Sequence, residues 1–232
     1  TSKGLFLFYG GGIYDISPLE TAITGLTFTS TNGSATVTVN KTSHGLSAGE
    51  FVVFSSVTMP GSGTGFTAAN FTDNPFQIIT AATNSFTITM PSSESGSGMT
   101  AAGSGTVQSY FPVGSATQTL GFGWGTGTWN GSTAWGSATA ASATSLEPAN
   151  WSLDNYGTIL IATIKNGGTF EWNPTDGVTT RATAVTTNPT ASVMTIVSDT
   201  DRHLVHLGTE TTIGNITTQD KMFIRFSDQE DR

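Results

Sequence analysis

At 232 residues the chain can hold one large all-β domain or two smaller ones, and it can bury a sizeable core. Only 10% of residues are charged and 28 are glycine, which suits strands joined by tight turns and argues against solvated helices, whose outer faces need Glu, Lys, Arg and Ala. A net charge of −8 with no basic block disfavours phosphate-tracking nucleic-acid binding, and the lack of cysteine excludes disulfides, thiolate metal sites and cysteine nucleophiles.

The start, TSKGLFLFYGGG, lacks the long apolar core of a signal peptide or a membrane span, so no membrane anchor is expected. Residues 1–25 open with a hairpin signal: Leu5 to Tyr9 is apolar, Gly10-Gly11-Gly12 turns, and Ile13-Tyr14 resumes. Residues 26–111 form a separate unit with short strand candidates at 35–39, 50–55, 76–80, 85–89 and 106–111, divided by breaker-rich loops such as MPGSGTG and SSESGSGMTAAGSG. In SFTITM, Phe86, Ile88 and Met90 alternate with Thr87 and Thr89, the pattern of a half-buried strand. No stretch there sustains a helical apolar period, so a small β-barrel or sandwich is predicted.

Residues 112–150 change character. GFGWGTGTWNGSTAWGSATAASATS carries Trp124, Trp129 and Trp135 and no charge. Such a segment makes no core of its own. It reads as a flexible loop, or as an extended arm whose tryptophans dock on a neighbour; the arm accounts for the indoles, which are a liability when exposed and are favoured at interfaces. From Trp151 onward, strand candidates recur at 158–164, 169–172, 182–185, 192–198, 203–208 and 221–227, with KNGG, NPTDG, TNPT and SDTD as turns. Regular short strands at this spacing imply a sandwich, barrel or propeller. In a propeller blade the inner strand is a continuous apolar run, as in TILIATI, and aromatics such as Trp151 and Trp172 fill the wedge between blades.

IYDISPL near the start, WNGSTAWG, WSLDNYGTILIATIKNGGTFEWNP, SDTDRHLVHLGTE and DKMFIRFSDQED together resemble the packaged-DNA stabilisation, or tail nozzle, proteins of short-tailed phages. The resemblance covers residues 5–20 and 120–232. It implies β-propeller blades and a homo-oligomeric ring at the tail tip, with Trp151, Trp172, Arg202 and His203 in structural blade positions. Such a ring continues the DNA channel below the portal and adaptor and helps retain the genome. Its implied partners are tail adaptor or portal-proximal proteins, a tail fibre or spike, and channel DNA in non-specific passage; its location is the virion tail. Family chains are longer, so the expectation is a partial propeller comprising the first blades. NKTSHGLSAGEFVVFSS and NPFQIITAATNSFTIT resemble a small β-domain of phage proteins named after the first catalytic cysteine half-domain of ubiquitin-activating enzymes, here an insertion without that activity because the chain has no cysteine.

The residues with chemistry of their own carry bland readings. His203 and His206 are three apart, which on a strand sends them to opposite faces, and His44 is the third histidine. A zinc site needs three or four convergent ligands, so no metal is expected. Asp199 and Asp201 read as turn residues, and Asp228, Glu230 and Asp231 as surface acids; Arg202 beside Asp201 and Arg225 near Asp228 suggest local ion pairs. The glycine runs lack the lysine and helix of a phosphate loop, and no nucleophile elbow is present. No catalytic residue and no cofactor are expected. A structural virion protein, with Trp124, Trp129 and Trp135 as its partner contact, is therefore the leading expectation. Its rivals are a carbohydrate- or receptor-binding tail protein and a glycoside hydrolase on a propeller scaffold.

Overall fold

A computed structural model describes residues 4–59, 65–111, 118–119, 140–141 and 150–232. The fold is all-β, built from small antiparallel sheets in two compact units. One unit spans Ser17–Phe111; the other combines Thr1–Ile16 with Pro112–Arg232. The second unit opens with strands β1 (Phe6–Tyr9) and β2 (Gly12–Asp15), the hairpin predicted around the glycine turn.

The Ser17–Phe111 unit contains β3 (Ile23–Thr24), β4 (Thr27–Ser30), β5 (Thr36–Asn40), β6 (Phe51–Thr58), the short helix α1 (Ala68–Thr72), β7 (Phe76–Gln77), β8 (Thr80–Ala82), β9 (Ser85–Thr89), β10 (Met99–Ala102) and β11 (Ser104–Ser109). They form a five-stranded sheet ordered β10-β4-β5-β9-β8 and a four-stranded sheet ordered β3-β11-β6-β7. Alternation decides what lies between them. Val37 and Val39 of β5, Phe86 and Ile88 of β9, and Val52 and Phe54 of β6 are buried, while the intervening Thr38, Thr87 and Val53 are not. Helix α1 caps this core with Phe71, whose ring lies 4.8 Å from Phe28 and 5.9 Å from Phe54. Each fully buried phenylalanine contributes about 1.5–3 kcal/mol of apolar transfer.

The run predicted as a single strand over 76–80 is two strands in different sheets. Val52 of β6 pairs with Phe76, whereas Thr80 pairs with Thr87 of β9, so the chain crosses between sheets at Ile78 and Ile79. The unit also starts earlier than the predicted residue 26. Ile23 and Thr24 pair with β11, Leu19 bridges Tyr110, and the Glu20 amide donates to the Ser109 carbonyl at 2.8 Å. These pairings use backbone groups, which leave no apolar period to read.

Glu94, 1% exposed, is a polar hub of this unit. Its carboxylate accepts from Ser30 Oγ at 2.8 Å, from the Gly96 amide at 3.0 Å and from the Gly65 amide. Burial pushes this carboxyl up, but the hydrogen bonds, led by Gly96 and Ser30, outweigh it and hold the group below the ordinary carboxylate range. Nearby, Gly98 has φ of +85°, and a Cβ there would lie 2.7 Å from the Ser30 carbonyl oxygen, so only glycine fits.

After the two-residue strands β12 (Gln118–Thr119) and β13 (Ala140–Ala141), which pair with each other, the second unit continues with β14 (Trp151–Tyr156), β15 (Ile159–Ile164), β16 (Thr169–Trp172) and β17 (Thr183–Ala184) in one meander. A three-stranded sheet follows, made of β18 (Met194–Val197), β19 (Leu204–Leu207) and β20 (Ile224–Phe226). The two sheets stack. Tyr156 and Ile161 of the first meet Leu204 of the second, with Ile159 and Val197 packed alongside.

Glu94→Gln removes the charge and leaves one acceptor oxygen where two now accept from the Ser30 hydroxyl and the Gly65 and Gly96 amides. The substitution is expected to destabilise the Ser17–Phe111 unit by about 2 kcal/mol. Because the folded carboxyl titrates low, its contribution is present above the ordinary carboxylate range and is lost as pH falls through the folded value. Thermal melts of wild type and variant from neutral to acid pH, with amide exchange at Gly96 as the local probe, check both points. Equal melts at neutral pH would contradict the assignment.

Candidate functional site

Cross-strand partners share a face, so the register of the second unit shows where its predicted site residues point. Trp151 pairs with Ile164 and Trp172 pairs with Leu160. Leu160 and Ile164 are four apart on β15, so both tryptophans occupy one face. Tyr156, Ile159 and Ile161 occupy the other face, which meets the second sheet. Neither indole therefore fills a wedge between these two sheets. Trp172 is buried and donates Nε1–H to the Thr180 carbonyl at 2.9 Å. Trp151 packs edge-on against Phe170 at 6.1 Å, and its buried Nε1 has no hydrogen-bond partner among the described residues.

The inter-sheet contact has polar ties as well. Ser152 Oγ donates to the Thr195 carbonyl at 2.8 Å, and the Val197 amide donates to Asp154 Oδ2 at 2.7 Å. The predicted turn KNGG also joins the sheets, since the Asn166 amide donates to the Ser192 carbonyl at 2.7 Å and the Ser192 amide donates to the Gly167 carbonyl at 3.0 Å.

Arg202 and His203 sit at the entry to β19. Arg202 lies in the left-handed region with φ of 50° and pairs with Glu230 at 3.3 Å rather than with Asp201. Both side chains are at least half exposed, so the pair is worth little. His203 Nδ1 donates to the Ser227 carbonyl at 2.8 Å and so ties β19 to the end of β20. Arg225 does not pair with Asp228. It donates to the Glu210 carbonyl at 2.9 Å and to the Thr211 carbonyl at 2.6 Å, and it lies over the Phe223 ring at 5.1 Å. Asp199, Asp201, Asp228, Glu230 and Asp231 are all exposed. Among the described residues no group of three His, Asp or Glu side chains could hold a metal ion. No helix there is long and apolar enough to cross a membrane. Trp124, Trp129 and Trp135 lie outside the described residues.

His206 is 2% exposed and faces the interior, in register with Thr195 and Arg225. Its Nδ1 shares a hydrogen bond with Thr195 Oγ1 at 2.9 Å, while Nε2 is buried without a partner among the described residues. Burial lowers its pKa to about 4. His206 lines an open cleft of about 330 Å³ together with Asn188, Ile213, Phe223, Arg225 and Asp231, and Ile224 and Phe226 also line it. Asn188 is also buried, and its Nδ2 has no partner among the described residues. Close by, the buried Glu210 accepts from the Gly214 amide at 2.7 Å and from Thr190 Oγ1. Sequence reasoning missed Glu94, Glu210 and the cleft. The available signal was a lone acid among serines, threonines and glycines, whose backbone amides can close around it.

The outer face of the second sheet is apolar throughout. Met194, Leu207 and Ile224 form one cross-strand row, and Ile196, Val205 and Phe226 form the next. Ile224 is 58% and Phe226 75% exposed. The hairpin of β1 and β2 presents a second exposed strip, with Phe6, Phe8 and Ile13 on one face beside Asp15, which pairs with Arg181 at 3.0 Å.

No family model and no curated protein matches the chain. Among solved structures, the chain is similar to the phage phi92 endosialidase at 13% identity and a TM-score of 0.31, over 92% of this chain. It spans 32% of that protein's length. A likeness this loose defines neither a family nor a substrate for this chain.

A buried histidine with a depressed pKa stabilises the fold while it stays neutral. That contribution is complete above about pH 6.5 and declines as pH falls toward about 4, a loss on the order of 3 kcal/mol for the unit that holds His206. All five tryptophans lie in residues 112–232, so indole fluorescence reports this unit alone. Chemical denaturation followed by fluorescence should show that decline in wild type and a flatter profile in His206→Gln. Parallel profiles would contradict the assignment.

Proposed function

We propose that the chain is a structural component of a phage tail nozzle, forming a homo-oligomeric ring that continues the DNA channel and helps retain the packaged genome. The observation that carries this reading is the outer face of the second sheet. Its inner face already packs on a neighbouring sheet, and its six outward residues, Met194, Ile196, Val205, Leu207, Ile224 and Phe226, are all apolar. An exposed face of this kind marks an interaction site. The proposed occupant is a second copy of this chain. Two exposed apolar strips of different make-up, this face and the β1–β2 hairpin, suit head-to-tail contact, and head-to-tail contacts form a ring where the rotation between copies closes.

The sequence resemblance supports the same reading, and the acidic balance gives it a physical use. A DNA duplex carries one negative charge per ~1.7 Å of axis, so a ring of acidic subunits lets it slide without adhesion. In this reading the stacked sheets are propeller blades, the Ser17–Phe111 unit is the inserted domain, and the arm with Trp124, Trp129 and Trp135 contacts a neighbouring subunit or a tail adaptor.

Light scattering after size exclusion, with electron microscopy of the peak, tests the ring. Wild type is expected to form a closed oligomer, and Ile224→Lys with Phe226→Asp is expected to shift the protein to monomer without loss of its melting transition. A wild type that stays monomeric at high concentration, or a doubly substituted chain that assembles normally, would overturn the proposal.

A further inference from the structure

We propose that β20 is a strand-accepting edge, and that the strand it accepts is β1 of a second copy, paired antiparallel. This deepens the head-to-tail contact and rests on that reading for the identity of the occupant.

The direction of the backbone groups carries the argument. In an antiparallel ladder alternate residues turn N–H and C=O toward the partner strand, and the residues between turn them away. At one end of β20 the Phe223 carbonyl accepts from the Gly208 amide at 2.9 Å, and at the other the Ser227 amide donates to the Leu204 carbonyl at 2.9 Å. Arg225, midway, therefore faces β19, and Ile224 and Phe226 turn their backbone groups outward. Among the described residues β19 is the only strand paired with β20. The hairpin follows the same alternation. The Ile16 amide donates to the Leu5 carbonyl at 3.0 Å, so Leu7 faces β2, and Phe6 and Phe8 turn outward. Among the described residues β1 pairs only with β2. Each edge thus offers two outward residues, two apart in sequence, and all four carry exposed apolar side chains.

The two edges fit in one register. Ile224 opposite Phe8 and Phe226 opposite Phe6 joins the outward donors and acceptors of both strands. Directly paired residues share a face, so Phe8 extends the row of Met194, Leu207 and Ile224, and Phe6 extends the row of Ile196, Val205 and Phe226. Exposure of the apolar face already rises toward this edge: Met194 and Ile196 on β18 are 40% and 39% exposed, below both Ile224 and Phe226. Open edges in natural sheets are blunted by lysine, proline or a charge, and neither outward residue of β20 is any of these. Charge favours the antiparallel sense. The segment after β20 carries Asp228, Glu230 and Asp231 against one arginine, and the segment before β1 carries Lys3 as its one charged side chain. Antiparallel pairing brings these segments together, whereas parallel pairing sets the acids beside the glycine turn.

The test uses the full chain, at concentrations where copies associate and after dilution to monomer. Amide hydrogen exchange is read at Phe6, Phe8, Ile224 and Phe226. All four are expected to slow by about tenfold or more on association, while Leu7 and Arg225, bonded in both states, change little. Because the chain has no cysteine, Ile224→Cys and Phe8→Cys can be mixed and oxidised. A hydrogen-bonded antiparallel pair has its Cα atoms about 5.5 Å apart, within disulfide reach, so linked dimers are expected from the mixture and not from either variant alone. Association without added protection at the four amides overturns the strand pairing and leaves the ring standing. Protection and cross-linking in an open series of copies supports the pairing and overturns the ring. A chain that stays monomeric at high concentration overturns both.

Discussion

Ile161, Ala162, Thr163 and Ile164 are buried in succession along β15, so both faces of the sheet it centres have to be kept from water. Much of the C-terminal architecture answers that requirement. One face is sealed by Tyr156, Ile159 and Ile161 meeting Leu204 and Val197 of the second sheet. On the other, Ala162, Ile164, Phe170 and Trp172 are also buried. A sheet covered on only one side would read as alternating apolar and polar residues; this strand does not alternate, and so demands layers.

Stacking two sheets by apolar contact alone would leave their relative position loosely set, because hydrophobic attraction has no direction. Direction comes from a few hydrogen bonds. Thr163 and Thr169 share a buried bond at 3.0 Å within the first sheet, Ser152 and Asp154 reach backbone groups of β18, and the loop around Asn166 and Gly167 grips Ser192. Gly208 shows how closely this part of the chain is packed: with φ of +62°, a Cβ there would lie 2.6 Å from Val193 Cγ2. In the other unit Glu94 has a comparable role, joining three separate stretches through Ser30, Gly65 and Gly96.

What could be read from sequence follows from these forces. β9, β15 and β16 were legible because alternation or unbroken burial leaves a clear apolar pattern. β14 was not, because WSLDNY spends Ser152 and Asp154 on hydrogen bonds to the next sheet and so looks like a loop. Helix α1 is five residues long and buries only Phe71, too little for a period. The faces of Trp151 and Trp172 depend on register, which pairs residues far apart in the chain. The apolar outer face was hidden for the same reason: its six residues come from three strands, and each strand contributes only two. His206 stood out as a histidine, but its burial against Thr195 and its place in the cleft arise only when three strands come together.

The Ser17–Phe111 unit begins and ends at one spot. Leu19 bridges Tyr110, and the Gln108 side chain donates to the Glu20 carbonyl at 2.9 Å. A module whose entrance and exit adjoin behaves like a plug with two pins: ninety-odd residues can be exchanged for another cassette, or trimmed to a short linker, while the path of the host chain on either side need not be redrawn. Lineages could thus diversify this appendage freely without renegotiating the frame that carries it.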